Sequence, residues 1–316
     1  MKRMVKWIHV AFVLFALAGG ALAQQYPDRP VQMIVPFAPG GSLDVIARIL
    51  QPALGAQLTQ PIVIINRPGA SGTIGTSAVV AAKPDGYTLG ILAMGSTAIL
   101  PHFRKLSYDL DSFDYICQIY SAPVLIMVGE NSPYHDIKSL LAFAKANPKG
   151  LFYGSPGVGT PDHINMASFL RANGVTGTHV PYPGSGAAST ALLTGELTAL
   201  SNTSVLMRAH KLRPLVVLSA KRLDELPDVP TAGEVGPPME ASIWAVMVAP
   251  KGLPTDVRKR LETACRNALD DPAYKASAEK GGFPPLYRDG DATRAFVQSE
   301  YAKYGPIVKA EGIELQ

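Results

Sequence analysis

The feature that most constrains the fold of this chain is a repeated alternation of short apolar strands with amphipathic helices. Residues 31–35 have the composition of a buried strand, and apolar residues at helical spacing predict a helix over 44–58. A strand at 62–65, a helix at 73–82 and a strand at 87–93 continue the pattern. Because strands that alternate with helices are typical of βαβ units, the sequence predicts an α/β fold with a mostly parallel sheet.

The alternation starts again in the middle of the chain, which predicts a second α/β lobe inserted into the first. We predict that residues 24–123 and 246–316 form the first lobe and that residues 124–245 form the second. The chain would then cross between the lobes twice, near 121–128 and near 243–250. Two crossing segments of this kind act as hinges, and they frame a cleft that can close on a ligand.

The first 23 residues have the layout of a secretory signal peptide. A basic head with Lys2, Arg3 and Lys6 precedes an apolar stretch at 7–17, and a small-residue cleavage site ends at Ala23. The alternative is a membrane anchor, but the apolar stretch is shorter than the roughly 20 residues that a membrane span needs. We therefore predict a secreted, periplasmic protein that is cleaved after Ala23.

Charge gives no indication of a polyanionic partner. The 29 Lys and Arg residues exceed the 25 Asp and Glu residues by four. Three of the basic residues leave with the signal peptide, so 26 remain against 25, a net charge of +1. Since the sequence has no basic tract, we expect neither nucleic acid nor an anionic membrane surface as a partner.

The two cysteines, Cys117 and Cys265, leave two alternatives open. An oxidising compartment permits a disulfide between them, and two buried free thiols are equally compatible with the sequence. Their spacing fits neither a redox motif nor a metal site.

Candidate binding chemistry lies where glycine-rich loops lead into helices. Loops at 37–44, 154–163, 183–186 and 66–72 each place flexible backbone at a helix N-terminus. The free N–H groups and the positive end of a helix dipole favour an anion there. Several such N-termini around one cleft would bind carboxylates without a dedicated arginine. The alternative for each loop is that it only closes a βα turn.

Single residues near these loops also have structural interpretations. Asp44 can simply favour the start of its helix, or it can contact a ligand amine or hold a water. His163 is most simply a first-turn helix residue, and Trp244 fits an interface core better than a stacking platform. Tyr182 suits packing and the cleft wall equally well, and Arg67 can form a structural ion pair instead of contacting ligand.

The motifs of common enzyme classes are missing from the sequence. No serine has glycine at both minus two and plus two, and no Gly-Lys pair is present for a phosphate-binding loop. The histidines beyond the signal peptide are scattered without the spacing of zinc ligands. We therefore expect a binding protein with no catalytic residues, no cofactor and no metal.

Seven short segments carry a resemblance to a known family. In chain order they lie at 26–30, 34–41 with Asp44, 66–70, 84–89, 179–182, 226–231 and 249–250. Together they resemble the Bug-type binding proteins of tripartite tricarboxylate transporters, and the resemblance extends through nearly the whole mature chain in the right order. No single segment is specific, but the ordered set is.

The resemblance implies a two-lobed Venus-flytrap fold, similar to type II periplasmic binding proteins, with two crossing hinge segments. It implies a small carboxylated ligand that is held between the lobes largely by backbone amides and bridging waters. The ligand would be a di- or tricarboxylate, an acidic amino acid or an aromatic carboxylate. The implied ligand-binding residues are Phe37, Ala38, Gly40, Gly41, Ser42 and Asp44 in the first lobe, and Ser155, Gly157, Gly159, Thr160, Asp162, Tyr182 and Ser185 in the second.

One departure from the family pattern is Leu43, where relatives often have a small polar residue. Its side chain would either line a less polar pocket, as an aromatic acid requires, or point into the lobe core. The partner that the resemblance implies is an integral membrane permease, and the expected state is a monomer. The alternative is a binding protein that passes a signal to a membrane receptor, and the two share the ligand-capture step.

Overall fold

The protein is described by a computed structural model over residues 26–311, and in this part of the chain ten strands form two sheets that share one long strand. The predicted signal peptide, 1–23, lies outside the described residues. In chain order the strands are β1 (Val31–Val35), β2 (Ile62–Asn66), β3 (Thr88–Ala93), β4 (Phe113–Val128), β5 (Phe152–Ser155), β6 (Thr178–Pro181), β7 (Ala199–Asn202), β8 (Arg213–Leu218), β9 (Ser242–Pro250) and β10 (Pro285–Asp289).

The first sheet is mixed, with two parallel and three antiparallel strand pairs, so the prediction of a mostly parallel sheet is wrong for this lobe. β1 lies between β2 and β3 and runs parallel to both, and β9 pairs with β3 in the antiparallel sense. β9 and β10 also pair antiparallel with β4. Side chains alternate across β1, since Val31, Met33 and Val35 pack on one face of the sheet and Ile34 packs on the other. Both faces of this sheet are therefore buried.

β4 carries the chain from the first sheet into the second. Its residues as far as Pro123 pair with β9, and Val124 to Val128 pair with β8. β7 also pairs antiparallel with β4, and β5 lies parallel between β6 and β7. β9 returns the chain, because Ser242 pairs with Pro123. The predicted α/β fold with two lobes and two crossing segments is confirmed, whereas the lobe boundaries 24–123 with 246–316 and 124–245 stay a prediction.

Ten helices among the described residues cover the two sheets. They are α1 (Ser42–Leu58), α2 (Thr73–Val80), α3 (Ile137–Ala146), α4 (Pro161–Ala172), α5 (Ser185–Leu193), α6 (Ser204–His210), α7 (Ala232–Val235), α8 (Thr255–Asp270), α9 (Pro272–Lys280) and α10 (Gly290–Glu311). The apolar faces of α1, α8 and α9 pack on one face of the first sheet, and α2 and α10 pack on the other. In the second lobe α3, α4 and α7 cover one face, and α5 and α6 cover the opposite face.

A disulfide joins Cys117 of β4 to Cys265 of α8. Both residues are fully buried in the core of the first lobe, and their Cα atoms lie 6.6 Å apart. Of the two alternatives that the sequence left open, the structure shows the disulfide. The bridge encloses the chain segment that forms the second lobe.

The elements predicted between residues 31 and 93 agree with the structure to within two residues at each end. β4 begins at Phe113, well before the predicted crossing segment near 121–128. The first part of the strand was not predicted, because two bulges, near Tyr115 and near Gln118, interrupt the alternation that marks a strand. We did not predict β7, α6, α7, α9 or β10, all of which are short.

Residues 26–311 contain neither a candidate membrane-spanning helix nor a cluster of metal-binding side chains. Within that range no helix is both long and apolar enough to cross a membrane. Nor do the described residues include a group of three His, Cys, Asp or Glu side chains that could hold a metal ion.

Candidate functional site

The first candidate loop connects β1 to α1. Phe37 is half-buried, whereas Ala38, Gly40 and Gly41 are exposed. Gly40 has φ +80°, a conformation that a side chain would strain. Gly41 is the N-cap of α1, and among the described residues no side chain caps this helix. The first N–H groups of α1, beginning at Ser42, are therefore left for another partner.

Asp44 holds this loop in place. Its carboxylate is 2% exposed. Oδ2 accepts hydrogen bonds from the Gly40 N–H at 2.9 Å and from Arg48 Nε at 2.8 Å, and Oδ1 accepts from Asn66 Nδ2 at 2.8 Å. The same Asn66 nitrogen donates to Phe37 O at 3.0 Å, which ties the loop to the end of β2. Both oxygens of Asp44 thus bind within the protein, so its role here is to shape the loop.

The pKa of Asp44 agrees with that role. Burial would raise the pKa of this carboxyl, but the hydrogen bonds from Arg48, the Gly40 N–H and Asn66 outweigh burial and hold the pKa below its ordinary value. The carboxylate is ionised at neutral pH, and it is neutralised by Arg48 at 2.8 Å.

A second loop of the first lobe lies against the first one. Ala70 and Ser71 both have positive φ, 47° and 54°, between Gly69 and Gly72. A β-carbon on Gly72 would lie 3.0 Å from the Phe37 ring, so the two loops are in close contact. Two consecutive non-glycine residues in the left-handed region are strained, and such strain clusters at binding sites.

The second-lobe loop connects β5 to α4 and is held by its own side chains. Ser155 Oγ lies 2.7 Å from Gly157 O and 3.2 Å from Gly157 N, and Thr160 Oγ1 donates to Gly157 O at 2.8 Å. Thr160 is the N-cap of α4, but no side chain in the described range caps that helix. Ser155 and Thr160 are 1% and 7% exposed. Like Asp44, they shape the loop.

Beneath this loop lie two histidines that we did not predict as a pair. The Gly159 N–H donates to His163 Nδ1 at 3.1 Å, and His179 Nε2 lies 2.7 Å from Ser155 Oγ. The two imidazole rings stack with centroids 3.6 Å apart. Burial, with a smaller contribution from His179, lowers the pKa of His163 to about 3, and burial lowers the pKa of His179 to about 4. Both rings are neutral at pH 7.

Asp162 is turned toward the end of β7. Asn202 Nδ2 donates to Asp162 Oδ1, and Ser201 Oγ donates to Asp162 O at 2.6 Å. The carboxyl is 6% exposed, and burial raises its pKa to about 7 in spite of the hydrogen bond from Asn202. The structure thus places Asp162 behind the loop, next to the second sheet.

The third turn lies beside the second-lobe loop. The Tyr182 N–H donates to Ser155 O at 2.9 Å, and a β-carbon on Gly154 would lie 3.3 Å from Tyr182 Cε2. Tyr182 is half-buried and packs against the core of the second lobe. Gly184 is the N-cap of α5, which begins at Ser185 and, like α1 and α4, has no side-chain cap among the described residues.

Loops of the two lobes meet across the cleft. A β-carbon on Gly157 would lie 3.7 Å from Ser71 Oγ, and one on Gly159 would lie 3.3 Å from both Leu100 and Phe103. A β-carbon on Gly95 would lie 3.4 Å from Pro161 Cδ. The structure therefore brings the loops at 37–44, 69–72 and 155–162 together, with the 182–186 turn beside the last of them.

The segment 95–103 and the pair His163–His179 belong to this region, and we did not predict their roles. One sequence signal could have indicated the role of His163. Gly159 lies four residues before it, at the same spacing as Gly40 and Asp44 in the first lobe. Leu43 is 5% exposed and packs in the core of the first lobe, so the idea that it lines a less polar pocket is wrong. Trp244 is fully buried in a core and donates to Glu300 Oε2 at 3.1 Å, as the packing interpretation expects.

A polar depression of about 480 Å³ lies elsewhere on the first lobe, between α8 and the start of α10. Three carboxylates, Glu262, Asp289 and Asp291, line it together with one arginine, Arg266. Because the lining carries a net negative charge, it disfavours a carboxylate. We therefore place the candidate site at the interlobe loops.

Comparison with known proteins gives a consistent result. The sequence profile described as the tripartite tricarboxylate transporter family receptor, TctC, matches residues 46–313. The protein BugT of Bordetella pertussis is 32% identical over 325 residues, which span 100% of this chain and 99% of BugT.

Solved structures of similar proteins agree with the fold. The periplasmic binding protein BugD is 30% identical, with a TM-score of 0.83 over 92% of this chain and 100% of BugD. Rpa4515 of R. palustris, solved with adipate, is 30% identical, with a TM-score of 0.84 over 92% of this chain and 99% of that one. MatC of Rhodopseudomonas palustris, solved with bound malate, is 29% identical, with a TM-score of 0.81 over 90% of this chain and 100% of that one.

These matches span nearly the whole described chain, and the proteins concerned are binding proteins, not enzymes. The chain belongs to the tripartite tricarboxylate transporter receptor (TctC, or Bug) family of periplasmic solute-binding proteins.

Proposed function

We propose that this protein captures a small organic dicarboxylate in the cleft between its lobes and delivers it to a membrane permease. The observation that carries the proposal is that α1, α4 and α5 all begin at glycine-rich loops around the cleft, and that no side chain of residues 26–311 caps any of the three. Unpaired N–H groups and the positive helix end stabilise an anion at each of these positions.

The side chains around the cleft support recognition by the backbone. Asp44, Ser155 and Thr160 use their oxygens inside their own loops, so the remaining polar groups at the loop surface are mainly amides. Amides recognise the carboxylate itself and leave the rest of the ligand to the cleft walls. We propose that the backbone amides of Ala38, Ser42 and Ser185 face the ligand. The N–H groups of Gly40, Gly41, Gly157 and Gly159 bond within their own loops, so we propose that these glycines shape the loops and let the backbone approach the ligand. Phe37 and Tyr182 are the proposed walls.

The chemistry of the ligand is proposed from two solved relatives. The structures of Rpa4515 and MatC contain adipate and malate, and each acid carries two carboxylates on a short aliphatic chain. A dicarboxylate suits a cleft with helix N-termini in both lobes, because one carboxylate can be held from each side. We propose an aliphatic dicarboxylate ahead of an aromatic acid, since Leu43 is in the core and adds no apolar wall.

We further propose that the mature chain begins at Gln24, after removal of residues 1–23, and works in the periplasm as a monomer. Its proposed partners are the integral membrane subunits of a tripartite tricarboxylate transporter. The lobes at 24–123 with 246–316 and at 124–245 would close around the ligand and create the surface that the permease reads.

A thermal-shift screen of residues 24–316 tests the proposal. The panel contains adipate, malate, citrate, glutamate and benzoate, with adipamide as the uncharged control. A ligand present at 100 times its Kd adds about 2.7 kcal/mol to the free energy of unfolding, which is a readily measured shift in Tm. We expect a shift with at least one dicarboxylate and none with adipamide. Silence with every acid, or a shift with adipamide alone, would contradict the proposal.

A further inference from the structure

Gly40 and Gly159 occupy matching places in the two candidate loops. Their φ angles are +80° and +75°, and each donates its N–H to the side chain four residues later, in the first turn of the following helix. In the first lobe the acceptor is Asp44 Oδ2 at 2.9 Å, and in the second lobe it is His163 Nδ1 at 3.1 Å. The two loops thus share one geometry, but one is held by an anion and the other by an imidazole.

The hydrogen bond from Gly159 fixes the protonation state of His163. A ring nitrogen accepts a hydrogen bond only when it carries no proton, so Nδ1 is bare and the proton of the neutral ring lies on Nε2. Protonation of Nδ1 would bring two N–H donors face to face and break the bond to Gly159. The observed loop conformation therefore requires neutral His163.

The network around Ser155 fixes the tautomer of His179. Ser155 Oγ lies 2.7 Å from Gly157 O and 2.7 Å from His179 Nε2. A carbonyl oxygen can only accept, so the single hydroxyl proton of Ser155 goes to Gly157. His179 must then donate from Nε2 to Ser155 Oγ, and it is assigned from this network as the Nε2–H tautomer.

The surroundings of the two rings favour their neutral forms. The rings stack at 3.6 Å with planes 8° apart, so charging both would place two cations in contact. Tyr153, on β5, has its ring 6.0 Å from His163 and 5.2 Å from His179. The nearest carboxyl along the chain, Asp162, accepts from Asn202. Burial lowers the pKa of both imidazoles far enough to keep them uncharged at pH 7.

We propose that His163, held in the Nε2–H tautomer by the Gly159 amide, is the positioning residue of the second-lobe binding loop, and that the stacked His179 ring disfavours a charge on it. The bare Nδ1 fixes the Gly159 amide, and the neighbouring Val158 amide is thereby directed at the ligand carboxylate. The N–H groups of Gly157 and Thr160 bond within the loop and hold its shape. This role in binding rests on the proposed function. His163 has the same place in the second-lobe loop as Asp44 has in the first-lobe loop, but it is uncharged. The group that holds the Gly159 amide therefore adds no negative charge beside the ligand carboxylate.

The first arm of the test needs no ligand. Long-range proton–nitrogen NMR of histidine-labelled protein at pH 7 reports which ring nitrogen carries the proton. We expect Nε2–H for both His163 and His179, with assignments made from the spectra of single variants. A charged His163, or one protonated on Nδ1, would overturn the proposal.

The second arm compares two variants at one position. His163→Asn places an amide oxygen where Nδ1 stood and keeps an acceptor for Gly159, whereas His163→Leu is similar in size and has none. We expect His163→Leu to speed hydrogen exchange of the Gly159 amide and to weaken adipate binding, each by about tenfold or more, because a buried N–H loses its partner. His163→Asn should restore most of both. His135→Leu, at an exposed histidine remote from the loop, is the control.

The outcomes separate the two proposals. If His163→Leu folds cooperatively, protects Gly159 and binds adipate as the wild type does, the positioning role is refuted. If His163→Asn behaves no better than His163→Leu, the acceptor is not what matters and the proposal also fails. If the wild type binds no acid of the panel, yet Gly159 is protected only when an acceptor is present, the positioning of the loop stands and the proposed function falls.

Discussion

Removal of the disulfide should cost this protein a large part of its stability without changing its ligand. Cys117 and Cys265 are 148 residues apart, and the bridge closes a loop that contains the whole second-lobe segment. The chain-entropy relation for a loop of that length gives about 5 kcal/mol, and native disulfides measured in other proteins contribute roughly 2 to 5 kcal/mol. The bridge joins two parts of the first lobe that are far apart in sequence. Its loss therefore gives the unfolded chain a large gain in conformational entropy.

The assay is urea unfolding of the mature protein and of a Cys117→Ala, Cys265→Ala double variant. We expect the free energy of unfolding to fall by about 3 to 5 kcal/mol, with little change in Kd for adipate, because both cysteines lie in the core away from the loops. Both sulfurs are fully buried, so a reductant should act only as the protein unfolds. A loss below about 1 kcal/mol would refute the reasoning about the closed loop, and reduction of the bridge while the protein stays folded would contradict the burial of the sulfurs.

Three further predictions concern the loops and their support. Asp44→Asn keeps the size of the side chain but replaces one acceptor oxygen by a donor, so the bonds from Gly40, Arg48 and Asn66 that hold the loop cannot all form. Adipate affinity should then fall about tenfold in calorimetry; unchanged affinity would show that the loop does not need the carboxylate. Leu43→Thr should lower the free energy of unfolding by about 1 to 3 kcal/mol and leave the order of preference among acids intact, since Leu43 is in the core; an altered order would place it at the ligand. His163 and His179 have pKa values lowered from about 6.5, so the stability they contribute is complete above pH 6.5 and is lost as pH falls toward the folded values, by about 2 kcal/mol per histidine between pH 7 and pH 5. Asp162, with a pKa raised to about 7, acts in the opposite sense, so the measurement compares the wild type with His179→Gln. The variant should lose about 2 kcal/mol less over that range, and an identical loss would contradict neutral burial of the pair.

Patterns that involve neighbours in the chain were enough to predict the fold. The strands β1, β2 and β3 and the helices between them follow from local apolar periodicity, and the glycine loops at their ends follow from composition. The crossing of β4 and β9 was predicted from the restart of the pattern. The start of β4 was not, because its bulges and its buried polar residues, Asp114 and Gln118, hide the strand signal.

The candidate site was predicted less completely because its geometry depends on contacts between distant residues. The glycine loops precede their helices as expected, and their role in binding stays a prediction. The sequence cannot show that Asn66 ties Phe37 to Asp44, or that His179 meets Ser155. The family resemblance implies Asp44 and Ser155 as ligand-binding residues, and in the structure their side chains bond within the protein. Ser71 reaches Gly157 only because the two lobes meet, which no local pattern encodes.

The central claim is that amides at three uncapped helix N-termini bind a carboxylate between the lobes. The most direct measurement is the amide proton–nitrogen spectrum of the mature protein during titration with the panel acid that gives the largest thermal shift. We predict that the largest changes fall on residues 41–44, 157–162 and 184–186. Changes concentrated at the polar depression around Arg266, with those three helix starts unaffected, would contradict the claim.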